Sequence, residues 1–136
     1  MFKKQASKRQ QTRIECLIGD TTFIEGSVAF SRGLRIDGRV KGNIVHAGDD
    51  PSTLVLSESG RIEGEVHVSH AIINGTVVGP VHGSQYVELQ PKARVTGDVY
   101  YRTVEIHPGA VVQGRLVHQD DAQESNVIPL MQSAAE

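Results

Sequence analysis

The chain repeats a short alternating pattern, apolar–x–Gly–x–apolar, at residues 24–28, 36–40, 62–66, 73–77, 95–99 and 112–116. In one copy Ile62, Gly64 and Val66 occupy every second position, and charged residues fill the positions between them. This period of two predicts short strands with one buried and one solvated face, because an amphipathic helix needs apolar residues three and four positions apart. Glycine at the inward position indicates that the backbone bends there or that the interior leaves no room for a side chain.

The spacing of these strands predicts a β-solenoid. Residues 89–99 and 106–116 align at an offset of 17, and residues 56–66 precede the first of these segments by 33, close to two such periods. A single coil cannot bury its own apolar face, so coils of this kind stack. From about Ile18 to His118 we expect about six coils, in a rod on the order of 30 Å long.

If coils stack with a period of 17 residues, residues one period apart lie next to each other on adjacent strands. This stacking predicts that Val95 lies over Val112 inside the rod, and that Asp98 lies beside Arg115 outside it with the opposite charge. Residues 48–52 are rich in turn formers and lie where the repeat is longer, so we expect them to form a loop between strands.

Both ends of such a rod carry unpaired backbone groups, which monomeric solenoids cover with a helix or a polar repeat. The sequence shows no such cap, so we expect the ends to stack on equivalent ends, by two-fold or head-to-tail contacts. The expected polymer-interface residues are Phe23, Val28 and Phe30 near the first coil and Val104, Leu116 and Val117 at the last, with Ile24 and Ile106 beside them. An ordinary core role is the alternative for most of these residues, and it is favoured for Ile24, Val104 and Ile106.

Composition limits the other possibilities. The chain has no Trp and few aromatic residues, so Val, Ile and Leu must form the core. Its one cysteine, Cys16, cannot form an internal disulfide, which favours a reducing compartment. No segment is apolar enough to span a bilayer, and the first ten residues lack the apolar stretch of a secretory signal. A net charge of −2 argues against nucleic-acid binding over the whole surface.

Charge divides the chain into three parts. Five basic residues precede the first acid, Glu15, and the residues after His118 include acids but no Lys or Arg. We expect a basic disordered tail at residues 1–17, a β-helix polymerisation domain at residues 18–118 and an acidic disordered tail at residues 119–136.

The repeats, the length and the two tails together resemble the bactofilins, a family of bacterial polymer-forming cytoskeletal proteins. The resemblance covers residues 18–118 and rests on the glycine-centred motifs, including Gly-Arg-Val-Lys-Gly-Asn-Ile at residues 38–44. It implies an all-β fold, a right-handed three-sided parallel β-helix that assembles end to end into nonpolar filaments without nucleotide. It also implies a cytoplasmic scaffold that localises cell-wall or cell-shape machinery through client proteins. Leu116 stands near the place where many family members carry an aromatic residue.

The first eight residues resemble the membrane-targeting tail of some bactofilins, with an aromatic residue at position two followed by lysine. Phe2 can insert at the headgroup boundary, and Lys3, Lys4 and Lys8 each contribute about 1 kcal/mol near an anionic surface. Many such tails on one filament bind with avidity. We therefore expect the protein at the inner face of the cytoplasmic membrane. The alternative is a solvated basic tail that keeps the ends soluble.

Two other classes of β-helix protein fit less well. Trimeric acyltransferases and carbonic anhydrases carry an apolar residue every six positions, and the series that begins at Leu56 breaks at Asn74. His67 and His70 are expected on opposite faces, and His82, His107 and His118 in different coils, so we expect no metal site, no cofactor and no catalytic set. A secreted carbohydrate-binding β-helix would display a groove of aromatic residues, and the chain has three tyrosines.

Overall fold

The computed structural model describes residues 14–120, which form a rod of parallel β-strands with no helix among them. The strands, in chain order, are β1 (Cys16–Ile18), β2 (Phe23–Glu25), β3 (Val28–Phe30), β4 (Gly33–Ile36), β5 (Arg39–Lys41), β6 (Ile44–His46), β7 (Thr53–Leu56), β8 (Arg61–Glu63), β9 (Val66–Ile73), β10 (Thr76–Val78), β11 (Val81–Leu89), β12 (Arg94–Thr96), β13 (Val99–Tyr101), β14 (Val104–Ile106), β15 (Val111–Gln113) and β16 (Leu116–His118). Within this part of the chain, no helix is long and apolar enough to cross a membrane.

The pairing register sorts the strands into three faces around one core. Face A contains β1, β4, β7, the second halves of β9 and β11, and β14. Face B contains β2, β5, β8, β10, β12 and β15. Face C contains β3, β6, the first halves of β9 and β11, β13 and β16. Because neighbours on each face are one coil apart, the described residues wind through six coils, and the predicted all-β solenoid is confirmed.

The core consists of aliphatic columns that run along the rod. The face A column is Ile18, Ile36, Leu56, Ile73, Leu89 and Ile106. The face B column is Ile24, Val40, Ile62, Val77, Val95 and Val112. The face C column is Val28, Ile44, Val66, Val81, Val99 and Leu116. The four middle members of each column are at most 1% exposed, because coils on both sides cover them. Burial of this kind contributes about 25 cal/mol per Å² of apolar surface.

Three expectations about register and connection are met. Val95 lies in register with Val112 in the next coil. Arg115 Nη2 lies 2.9 Å from Asp98 Oδ2, on the outer surface. Residues 48–52 lie in the connection between β6 and β7, which lengthens that coil.

The glycine-centred motif is a corner between two strands and not one straight strand. Ile62 belongs to β8, Gly64 follows at the corner, and Val66 opens β9. Both reasons expected for glycine, a bend in the backbone and a lack of room for a side chain, hold at this corner. Gly64 has a φ of 153°, and a Cβ there would collide with the carbonyl oxygen of Gly42 in the preceding coil.

This corner, between faces B and C, repeats in every coil. Its glycines are Gly26, Gly42, Gly64, Gly79, Gly97 and Gly114. The motifs at Gly38 and Gly75 belong to a different corner, between faces A and B. The apparent 12-residue repeat from Gly26 to Gly38 therefore joins two different corners.

The strands begin at Cys16, inside the segment expected to be the basic tail, and end at His118. Residues 1–13 and 121–136, which include Phe2, Lys3, Lys4 and Lys8, lie outside the described residues.

Replacing a corner glycine tests the close approach of the coils. We expect Gly79→Ala to lower the free energy of unfolding by more than about 3 kcal/mol. The strain of a side chain at a φ of 143° costs about 1–3 kcal/mol, and the collision with the Gly64 carbonyl adds to it. Gly26→Ala is the matched control, because its φ is 126° but nothing lies within 4 Å of the added Cβ. Urea unfolding of dilute protein, followed by circular dichroism, measures both. An equal loss of unfolding free energy in the two variants would contradict a close approach of the coils at Gly79.

Candidate assembly interface

The first and last coils each have one unpaired edge. In the first coil, β1, β2 and β3 pair with β4, β5 and β6 of the second coil. In the last coil, β14, β15 and β16 pair with β11, β12 and β13. Within residues 14–120 no other strand pairs with these six. Each end of the described rod therefore presents backbone N–H and C=O groups on three sides, which is a template for pairing with another chain.

Apolar columns are uncovered at the C-terminal end of the rod. Leu116 closes the face C column and is 44% exposed, whereas Val99 in the coil before it is fully buried. Ile106 closes the face A column and is also 44% exposed, although Leu89 beneath it is fully buried. These residues occupy the inward register of the core, so their exposure follows from their position in the last coil.

The N-terminal end exposes a different set of apolar side chains. Leu17 and Phe23 are 59% and 50% exposed. Both point outward from the walls of the first coil, since their register partners in the second coil are Arg35 and Arg39. The Arg39 guanidinium carbon lies 4.8 Å from the centroid of the Phe23 ring, which is a cation–π contact.

The residues expected at the polymer interface fall into three groups. Phe23 and Leu116 are exposed at opposite ends. Phe30 is buried in the core, while Val28 and Val104 are partly buried and pack against it.

Val117 is half-buried on the outer wall, in register with Tyr100. Leu17 is not among the expected interface residues, whereas Ile106 is named beside them with a core role favoured. The sequence carries the signal for Ile106, because this residue aligns with Leu89 at the 17-residue offset and lies in the last coil of the described residues.

One ion pair ties the last coil to the fifth. The backbone N–H of Arg115 donates to Asp98 Oδ1 at 2.9 Å, and Arg115 Nη2 donates to Oδ2 at 2.9 Å. These bonds from Arg115 lower the pKa of the Asp98 carboxyl below its ordinary value of 3.8. A lowered carboxyl pKa favours the folded state at any pH above 3.8, and the contribution is lost as the pH falls through the lowered pKa.

Stacking also brings together side chains that were expected to be scattered. On face C the rings of His67 and His82 stack at 4.2 Å between centroids, and His82 stacks on Tyr100 at 4.4 Å. Burial, with His67 as a second cause, lowers the pKa of His82 below its ordinary value. On face A, His107 meets the carboxylates of Glu88 and Glu105. Two groups of potential metal ligands are found among the described residues: Glu65, His67 and His82 on face C, and Glu88, Glu105 and His107 on face A.

Comparison with known proteins identifies the family. Residues 16–117 match the family model described as bactofilin, polymer-forming cytoskeletal. The chain belongs to the bactofilin family. The resemblance that the sequence carried is thereby confirmed, and with it a polymer-forming cytoskeletal role that requires self-association.

Two bactofilins of Myxococcus xanthus (strain DK1622) are similar to the chain. Bactofilin BacP is 32% identical over 100 residues, which cover 74% of this chain and 40% of BacP. Bactofilin BacO is 29% identical over 109 residues, which cover 80% of this chain and 83% of BacO. The chain thus spans less than half of BacP and most of BacO. No solved structure matches the chain significantly.

Proposed function

We propose that this bactofilin is the subunit of a filament that grows by stacking the end coils of one copy on those of another. The exposure of Leu116 and Ile106 carries the proposal, because both are core residues that lack a covering coil among the described residues. A second copy stacked on this end would remove their apolar surface from water and pair the free strand edges. Each new backbone hydrogen bond contributes a further ~0.5–1.5 kcal/mol.

The corner glycines support growth by continued stacking. The N–H groups of Gly42, Gly64 and Gly79 each donate to a carbonyl of the next coil, at 2.8–2.9 Å. By the same register, the N–H of Gly114 points beyond the last coil, where a neighbouring copy would supply the acceptor. The Cβ position of Gly26 faces beyond the first coil in the same way.

Assembly is proposed to need no nucleotide. The glycines of a phosphate-binding loop direct their N–H groups at the phosphate oxygens and lead into a helix. Here the glycines lead from strand to strand, and those of the corner column in coils one to five donate their N–H groups to the next coil. No catalytic activity is assigned to the chain.

The filament is proposed to be nonpolar, with two-fold contacts at both kinds of end. Support comes from the resemblance to the family, since two-fold and head-to-tail stacking would both cover the ends described above. In a two-fold filament the N-terminal end of one copy meets the N-terminal end of the next, and the two C-terminal ends meet likewise.

The filament is further proposed to lie in the cytoplasm at the inner face of the membrane, held there by Phe2, Lys3, Lys4 and Lys8. These residues combine an insertable ring with charges that attract anionic lipid. Through its length the filament would act as a scaffold that places client proteins of cell-wall or cell-shape machinery.

Leu116→Arg is expected to abolish filaments and leave a folded monomer, because a guanidinium group cannot be buried unpaired between stacked ends. Gln113→Arg is the matched control. It adds the same charge to the same coil, but on an exposed outward position of face B. Negative-stain electron microscopy and analytical ultracentrifugation measure assembly, and circular dichroism checks the fold. Normal filaments from folded Leu116→Arg would reject stacking through this end.

Filament polarity can be measured by cross-linking, because Cys16 is the only cysteine and lies exposed at the N-terminal end. In a two-fold filament, a bismaleimide shorter than the rod, which is about 30 Å long, should link Cys16 to Cys16 and give dimers. A variant that combines Cys16→Ser with Leu116→Cys should give dimers through the other end. Dimers from neither single-cysteine protein, with ladders only when both thiols are present, would establish a head-to-tail filament instead.

Phe2→Ser is expected to reduce flotation with vesicles that contain phosphatidylglycerol, since each tail loses its inserted ring. Leu116→Arg, which keeps the tail intact, should bind the same vesicles more weakly than filaments do, because avidity is lost. The control is flotation with neutral phosphatidylcholine vesicles, which should be low for every variant. Equal flotation of wild type and Phe2→Ser would remove Phe2 from the proposed membrane contact.

A further inference from the structure

Two glutamates oppose each other on the outer wall of face A. Glu88 in β11 and Glu105 in β14 are direct register partners in the fifth and sixth coils. Like charges in this arrangement destabilise a sheet. A cation held between the two carboxylates would turn the repulsion into an attraction.

His107, which follows β14, directs a ring nitrogen at both carboxylates. Its Nε2 atom lies 3.2 Å from Glu88 Oε2 and 3.2 Å from Glu105 Oε2. The same Nε2 atom is buried, and among the described residues no group forms a hydrogen bond of acceptable geometry with it. A buried imidazole nitrogen without a hydrogen-bond partner, beside two carboxylate oxygens, is the arrangement that a metal ion would complete.

The spacing of the three donors suits a small divalent ion. Zn²⁺ binds imidazole nitrogen and carboxylate oxygen at about 2.0–2.2 Å, so two ligands of one tetrahedral ion lie roughly 3.3–3.5 Å apart. The two distances from Nε2 to oxygen, both 3.2 Å, are close to that value. All three donor atoms lie within 4.8 Å of one another.

Neighbouring side chains orient the carboxylates. The Tyr86 hydroxyl lies 3.0 Å from Glu88 Oε1 and 2.9 Å from Glu105 Oε1, which leaves each Oε2 on the side of His107. Gln90 Nε2 also donates to Glu88 Oε2 at 3.1 Å. Burial and the bonds to the two glutamates raise the pKa of Tyr86, so this side chain stays a neutral hydroxyl. Partners of this kind fix the direction of metal ligands.

We propose that Glu88, Glu105 and His107 bind one divalent transition-metal ion, with Zn²⁺ as the ion that matches their chemistry. Two carboxylates and one imidazole neutralise the charge of the ion and leave a fourth coordination position open. Bound there, the metal ties the last coil to the fifth, at the end of the rod where core residues are exposed. The site therefore stabilises the coil on which a second copy would stack.

The other group of potential ligands, Glu65, His67 and His82, does not carry the same inference. Its two imidazole rings stack with an angle of 9° between their planes. The lone pair of an imidazole nitrogen lies in the plane of its ring, so the lone pairs of two parallel rings do not converge on one ion. His67 Nε2 also already faces Glu65 Oε1 at 2.9 Å. This group serves as the control.

Isothermal titration calorimetry of the full chain with ZnCl₂ tests the site, in a Cys16→Ser background that removes the one thiol. We expect one ion per chain, at least a hundredfold weaker binding for His107→Gln and for Glu105→Gln, and binding about 10- to 100-fold weaker for Tyr86→Phe. His82→Gln should bind as the parent does. Thermal unfolding should show that zinc raises the melting temperature of the parent and of His82→Gln but not of His107→Gln.

Three results would overturn the proposal. They are no zinc binding by the parent protein, binding that His107→Gln leaves unchanged, and binding that His82→Gln abolishes. The first would mean that these three side chains do not form a metal site. The others would place the zinc elsewhere on the chain.

Discussion

Hydrogen bonding in register between successive coils is the interaction on which the rest of this structure depends. Most of its strands are three residues long, and no coil encloses an apolar interior alone. Pairing at about 4.8 Å places Ile62 between Val40 and Val77, and so removes all three from water. The same register requires glycine at the corner between faces B and C, because a side chain there would meet the backbone of the coil before it.

In a fold where each coil is covered by the next, the stacking of coils is not ended by the repeat itself. The last coil carries the same inward residue types as the middle coils, yet Leu116 and Ile106 are exposed there. Nothing in their chemistry distinguishes them from Val99 or Leu89, which are fully buried one coil earlier. The polymer-forming character of the family is thus consistent with the energetics of the rod, since growth repeats the contact that holds the subunit together.

The outer walls obey a weaker constraint than the core. Outward side chains do not have to fill the core, so their chemistry varies from coil to coil, while the register still sets them side by side. Stacking can therefore bring together residues that are far apart in the chain, such as Glu88 and His107 on face A or His67 and His82 on face C. A repetitive core can in this way carry local sites that do not repeat.

The sequence alone determined the type of fold, the approximate number of coils and the pairs Val95–Val112 and Asp98–Arg115. The type of fold followed from the alternation of apolar residues, which indicates the buried side of each strand. The two pairs followed because coils five and six have nearly equal lengths. The tertiary structure decided which glycines share a corner, since the A–B and B–C corners both contain glycine and the connection at 48–52 changes the period. It also decided the meeting of His107 with the carboxylates of Glu88 and Glu105. Those outcomes depend on the pairing of strands from different coils. The pattern of residues along a single strand does not specify that pairing.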